Sequence, residues 1–89
     1  MNFSLVTNAR SLMDISALAY DSAGQVWSGD NKHGQICVWD ESGTLITKFE
    51  NLNMTEPSIY DIKSISDLAF VTREKFIDVY DIKVRQIPF

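Results

Sequence analysis

One pattern occurs twice in this chain, and the distance between its two copies constrains the fold more than any other feature. Gly34–Asp40 (GQICVWD) aligns with Lys75–Asp81 (KFIDVYD), and the two copies lie 41 residues apart. Within this block Ile, Val and Asp are identical, and Tyr replaces Trp. A period of about 40–45 residues is typical of repeats that each form four β-strands. The spacing therefore predicts two such units in this chain.

Matches upstream of this block support the repeat. Val26–Ser28 matches Asp67–Ala69 at the same offset of 41 residues. Ile15 and Leu18 match Ile59 and Ile62 at an offset of 44 residues. The larger offset is explained by a shorter turn between the first two strands of the second copy. A third partial copy opens the chain, where Leu5–Thr7 matches Leu45–Thr47.

Short runs of β-branched and aromatic residues, separated by Gly, Asp, Asn and Ser turns, predict an all-β antiparallel meander. The predicted strands of the first unit (residues 9–49) are Ile15–Tyr20, Gln25–Ser28, Gln35–Trp39 and Thr44–Phe49. Those of the second unit (residues 50–89) are Ile59–Ile62, Leu68–Thr72, Phe76–Tyr80 and Val84–Phe89. Phe3–Thr7 is predicted as an extra strand, so that residues 1–8 complete a preceding or partner unit. Pro57 limits the one candidate helical turn, between residues 52 and 59.

These residues resemble the WD-repeat family of β-propellers, in which the third strand of each blade ends in Trp-Asp after a turn with Gly. The resemblance rests on Val26–Gly29, on Gly34–Asp40 and on the repeat length, and it covers nearly the whole chain. The second copy is degenerate, since Tyr80-Asp81 replaces Trp-Asp and Lys75 replaces the glycine. The resemblance implies two propeller blades whose structural repeat positions are Trp27, Trp39, Asp40, Tyr80 and Asp81.

The chain departs from the family at one conserved feature of the motif. The Gly-His pair that precedes the first strand is missing in both copies, and the single histidine, His33, lies in the turn before the third strand. The hydrogen-bonded set that would join the missing His to Ser28, a turn Asp and Trp39 is therefore expected to be incomplete.

Two blades leave two open faces, because repeat units of this kind bury their apolar surfaces against their neighbours. Closed propellers have about four to eight blades. The chain is therefore expected to be part of a longer propeller, to assemble with further copies of itself, or to complete the sheet of another protein. Three or four copies of this two-blade chain would give six or eight blades.

Charge and composition exclude several classes of function. The net charge is −4, with 8 Lys and Arg against 12 Asp and Glu, and basic residues do not cluster. Neither nucleic acid nor an anionic membrane is therefore an expected partner. With one cysteine, Cys37, no internal disulfide can form, and no signal peptide or membrane-spanning run is visible. A cytoplasmic protein is the expectation, with Cys37 as a small buried residue of a strand.

The residues that could carry chemistry are better explained as turn and core residues. His33 beside Asp30 and Lys32 could suggest a metal or acid–base site, but the sequence holds no second histidine. Most carboxylates fall in predicted turns, the glycines occur about one per turn, and Trp27 and Trp39 occupy alternating strand positions. No catalytic residue, metal ligand or cofactor is predicted, and the chain is not expected to be an enzyme.

The leading functional hypothesis is a non-catalytic protein–protein interaction scaffold. The alternative is a self-assembling half-propeller that forms a closed homo-oligomer with a structural or ligand-binding role. A third, weaker hypothesis is an enzyme or ligand-binding channel, towards which the first strands offer Ser16, Tyr20, Tyr60 and Asp61. The resemblance implies that partner proteins contact the loops at one end of the blades. The candidate partner-binding residues there are Asp30, Lys32, His33, Met54, Glu56, Arg73 and Glu74.

Overall fold

The computed structural model describes residues 3–5, 14–49 and 58–82. These residues form two antiparallel β-sheets, and the all-β prediction is confirmed for them. The first sheet has the strand order β1-β2-β3-β4 and the second has the order β5-β6-β7. The strands are β1 (Ile15–Tyr20), β2 (Val26–Asp30), β3 (Ile36–Trp39), β4 (Leu45–Phe49), β5 (Asp61–Ile65), β6 (Leu68–Thr72) and β7 (Ile77–Asp81).

Aspartate carboxylates organise the three turns of the first sheet. Asp21 accepts backbone N–H bonds from Ala23 and Gln25, and Asp30 accepts them in the same way from Lys32 and His33. A short side chain that bonds the backbone two to four residues ahead stabilises a turn against strand continuation. In the next turn, the Asp40 carboxylate likewise accepts backbone N–H bonds from Ser42 and Thr44.

The second sheet differs from the prediction at its first turn. The predicted turn begins at Ser64, whereas β5 continues to Ile65 and the turn consists of Ser66 and Asp67 alone. Ser66 takes the left-handed conformation, with φ of 55°, that a two-residue hairpin turn demands. The predicted fourth strand, Val84–Phe89, lies outside the described residues.

The predicted N-terminal strand is described in part. Phe3, Ser4 and Leu5 are exposed and belong to no strand, so the pairing expected for this segment is absent over those three residues. The rest of that predicted strand lies outside the described part of the chain.

The core lies between the two sheets. The inner face of the first sheet presents Ala17, Trp27, Ile36 and Val38, and the inner face of the second presents Ile62, Ala69, Val71 and the partly buried Tyr80. Side chains at directly paired positions of neighbouring strands lie on the same face of a sheet. The inner-face residues of each sheet therefore form one continuous apolar surface.

Gly29 sets how closely the sheets approach. A Cβ atom at this position would lie 2.8 Å from Cγ2 of Ile59 and 3.1 Å from Cδ1 of Ile62. The missing side chain therefore creates the space that these two isoleucines fill, and both are buried.

Candidate protein-interaction surfaces

The strand registers show which positions of the two sheets are equivalent. Trp39 pairs with Val26 at the end of β3, and Tyr80 pairs with Ala69 at the matching place in β7. Leu18 of β1 is equivalent to Ile62 of β5 by the same pairing pattern. The predicted equivalence of Trp39 with Tyr80, and of β1 with β5, is compatible with these registers and stays a prediction.

The predicted alignment of the second strands is wrong by two positions. The register places Val26–Ser28 against Ala69–Val71, not against Asp67–Ala69. The reason is the turn that follows, since residues 30–35 separate the last paired residues of β2 and β3, whereas residues 73–76 separate those of β6 and β7.

An aromatic cluster occupies the centre of the contact between the sheets. The ring centroid of Tyr80 lies 5.7 Å from that of Trp27 and 4.8 Å from that of Phe49. The Trp27 indole N–H donates to Oδ2 of Asp21 over 2.7 Å, so the polar edge of this buried ring is satisfied. Burial raises the pKa of Tyr80, and the negative charge of Asp78 raises it further, while Arg73 acts in the opposite direction. Two of the five predicted structural positions, Trp27 and Tyr80, thus lie in this packed interface.

Part of the hydrogen-bonded set implied by the family resemblance is present. The Trp39 indole N–H donates to Oγ of Ser28 over 2.9 Å, and both side chains are buried. Asp30, at the end of β2, is fully buried. Nδ1 of His33 lies 3.5 Å from Oδ2 of Asp30.

Two turns that carry predicted partner-binding residues meet at one end of the sheets. Arg73, which is buried, donates from Nη2 to the carbonyl oxygen of Gly34 over 3.2 Å and from Nε to Oδ2 of Asp78 over 2.7 Å. We call the exposed residues around this bond, Lys32, His33 and Glu74, the turn rim.

The remaining members of the predicted set are placed differently. Asp30 and Arg73 have buried side chains that hold the turns, and Met54 and Glu56 lie outside the described residues. The turn rim therefore brings together three of the seven predicted residues in exposed positions.

In the first sheet, the pKa values of Asp40 and Cys37 are shifted in opposite directions. The hydrogen bond from the Ser42 hydroxyl, helped by backbone N–H bonds, lowers the pKa of Asp40. Burial raises the pKa of the Cys37 thiol, which favours the protonated form that reacts slowly. Neither group is therefore prepared for nucleophilic or general-base chemistry.

Open apolar faces were expected from the sequence, but the residues that form them were not identified. The outer face of the second sheet carries the apolar residues Ile65, Leu68, Phe70, Ile77 and Val79 together with Asp61, Lys63, Thr72 and Asp81. Of the five apolar residues, all but Phe70 are exposed. We call this face outer face 2. The signal that could have found it is the alternation in β7, where Ile77 and Val79 share one face and Tyr80 faces the core.

The first sheet also has an apolar outer side. Leu18 and Tyr20 are exposed there, with Val26 half-buried and Trp39 at the edge of burial. We call these four residues outer face 1. Exposed apolar surface of this extent on both sides of a small protein is typical of interaction sites.

Two comparisons with known proteins find no match for this chain. No protein-family model matches it, and no curated protein matches it significantly. Within the described ranges, no three His, Cys, Asp or Glu residues are grouped so that they could hold a metal ion. The same residues include no helix with the length and apolar character that crossing a membrane requires.

Proposed function

We propose that the chain is a WD-repeat-like, non-catalytic scaffold that binds other proteins through the open faces of its two sheets. The observation that supports this most is outer face 2, where Ile77 and Val79 of β7, the outermost described strand of its sheet, are 58% and 53% exposed. Full burial of an exposed Val or Ile side chain contributes about 1.5–3 kcal/mol. Because Ile77 and Val79 are a little over half exposed, a protein partner that covers them gains part of that free energy.

The state of the carboxylates supports a binding role over a catalytic one. Asp21 and Asp30 are buried and accept bonds from the backbone of their own turns, and Asp40 does the same near the surface. A carboxylate held by several N–H donors is stabilised as an acceptor within the fold. These residues therefore stabilise the turns, and in this proposal the apolar faces supply the binding free energy.

The turn rim provides the polar border of the proposed interaction. Lys32, His33 and Glu74 are exposed and carry charges of both signs around the Arg73–Gly34 bond. Interfaces commonly combine an apolar centre with a polar margin. A cytoplasmic location is part of the same proposal, and the buried free thiol of Cys37 accords with a reducing compartment.

A second candidate is a closed homo-oligomeric propeller with a structural or ligand-binding role. One observation favours it. Ile62 of the second sheet is buried against the first sheet, whereas Leu18, at the equivalent position of the first sheet, is exposed. In this case the protein partner is a further copy of the chain.

The experiment that tests the proposed function is affinity capture with the full chain, followed by reconstitution with the purified partner. Binding is measured by calorimetry for the wild type, for Val79→Lys and for the control Glu41→Gln, which changes the charge equally at an exposed turn residue. We expect Val79→Lys to weaken binding by about tenfold or more and the control to have little effect. Failure to recover any protein partner, together with a strictly monomeric chain, contradicts the proposal.

A further inference from the structure

We infer that outer face 2 receives outer face 1 of a second copy of this chain, so that copies associate head to tail in the register that already joins the two sheets. This inference rests on the proposed function and identifies its partner. It follows from the equivalence of positions in the two sheets rather than from apolar character alone.

Outer face 2 is the counterpart of the inner face of the first sheet. Phe70 pairs with Val79 just as Trp27 pairs with Val38. Ile77 stands at the position equivalent to Ile36. In this chain the second sheet covers Trp27, Ile36 and Val38. Outer face 2 presents apolar residues at the equivalent positions, Phe70, Ile77 and Val79, which a further sheet could cover in the same way.

Outer face 1 is the counterpart of the inner face of the second sheet, which packs against the first sheet. Leu18 is equivalent to Ile62, and Trp39 is equivalent to Tyr80. Yet Ile62 is 3% exposed, whereas Leu18 is 63% exposed. On this side of the first sheet Leu18 and Tyr20 are thus exposed, whereas Ser28, Cys37 and Trp39 are buried.

The observed interface gives the contacts expected between copies. Tyr80 packs beside Trp27, so Trp39 of one copy is expected to pack beside Phe70 of the next. Ile62 fills the space above Gly29, so Leu18 is expected to lie against Thr72, which is equivalent to Gly29.

The two interfaces differ in how closely the sheets can approach. Thr72 has a side chain where Gly29 has none, and Lys63 stands where the first sheet has Ala19. The contact between copies is therefore expected to be more open than the internal contact around Thr72 and Lys63. This predicts a weaker and concentration-dependent association, compared with the internal contact of the two sheets.

The inferred contact uses two different surfaces, one from each copy. Such a heterologous contact closes into a ring when its rotation divides a full turn, and otherwise extends into a filament. A ring of six or eight sheets takes about three or four chains. The expected limiting mass is therefore about three or four times the 10.1 kDa of one chain.

The test is light scattering coupled to size-exclusion chromatography over a concentration series of the full chain. Leu18→Lys blocks outer face 1 and Val79→Lys blocks outer face 2, and both side chains are more than half exposed, so the fold is expected to survive. Circular dichroism and thermal melts of each variant check this. Glu41→Gln, with the same change in charge, is the matched control.

We expect the wild type and the control to exceed the monomer mass and each blocked variant alone to stay monomeric. An equimolar mixture of the two blocked variants retains one intact pair of faces, so we expect it to form a dimer that grows no further.

Three outcomes overturn the inference. They are a wild type that is monomeric at every concentration, loss of association in Val79→Lys with no effect of Leu18→Lys, and a mixture that contains no dimer. If the wild type is monomeric but Val79→Lys still loses a captured protein, head-to-tail association fails while the proposed function stands.

Discussion

The ring of Tyr80 in β7 lies 5.7 Å from the indole of Trp27 in β2, which joins the two sheets at the centre of the core. Tyr80 also lies 4.8 Å from Phe49 of β4. The second sheet thus contributes the third ring of an aromatic cluster whose other two members belong to the first sheet. Four predictions follow from contacts of this kind.

Removal of the Tyr80 ring is expected to weaken the contact between the sheets. We expect Tyr80→Ala to lower the free energy of unfolding by about 2–4 kcal/mol, because it leaves a cavity beside Trp27 and Phe49. Urea denaturation followed by tryptophan fluorescence measures this. Tyr80→Phe, which keeps the ring, is the control and is expected to lose less than half as much. A loss below about 1 kcal/mol for the alanine variant would show that the cluster contributes little.

Gly29 is expected to tolerate no side chain while Ile59 is present. We expect Gly29→Ala to cost about 1–3 kcal/mol, because its Cβ would lie 2.8 Å from Cγ2 of Ile59. Ile59→Ala removes that atom, so the double variant is expected to be more stable than the sum of the two single losses predicts. Strict additivity in this double-mutant cycle would contradict the steric explanation.

The Asp21 carboxylate is expected to be more important for stability than the similar turn residue Asp40. Asp21 is buried and accepts from the Trp27 indole as well as from two backbone N–H groups. An amide at this position has a single acceptor oxygen, so we expect Asp21→Asn to cost about 1–3 kcal/mol. The matched variant Asp40→Asn, at the surface, is expected to cost less, as thermal and urea denaturation will show. Equal effects would mean that burial of Asp21 is unimportant.

The alkaline stability of the protein is expected to depend on Tyr80. Because burial raises the pKa of Tyr80, the folded state binds its proton more tightly than the unfolded state does. This contribution is complete below the ordinary tyrosine pKa of about 10 and is lost as the pH rises through the raised value of the folded state. We therefore expect the wild type to lose more unfolding free energy than Tyr80→Phe above about pH 10.

An absorbance titration near the tyrosinate band provides the independent check. The protein has three tyrosines, and Tyr20 and Tyr60 are exposed. The difference between the wild type and Tyr80→Phe is expected to be one phenol that ionises late. Ionisation of that phenol at or below the ordinary pKa would contradict the role of burial.

The sequence was sufficient to predict the strands and turns of the first sheet. The alternation in Gln35–Trp39 and the aspartate turns are local signals, and the observed β3 and its flanking turns agree with them. The repeat also predicted that Trp39 and Tyr80 are equivalent, and the registers are compatible with this prediction.

Features that depend on contacts between distant residues were not predictable in the same way. The correct alignment of β2 with β6 depends on the length of the turn between residues 72 and 77, which has no distinctive glycine. The exposed state of Ile77 and Val79 depends on which face of the second sheet meets the first, and a strand pattern alone does not determine this.

The two sheets share no hydrogen-bonded strand ladder within the described residues, since every ladder there joins strands adjacent in sequence. The bonds that cross between the sheets involve side chains, such as Ser16 Oγ to the carbonyl oxygen of Ile59 and Arg73 to that of Gly34. A gene duplication or deletion that adds or removes one complete sheet would therefore leave the backbone pairing of every other sheet intact. Such a chain can change in length over evolution by whole units, provided that the new neighbours keep compatible side chains.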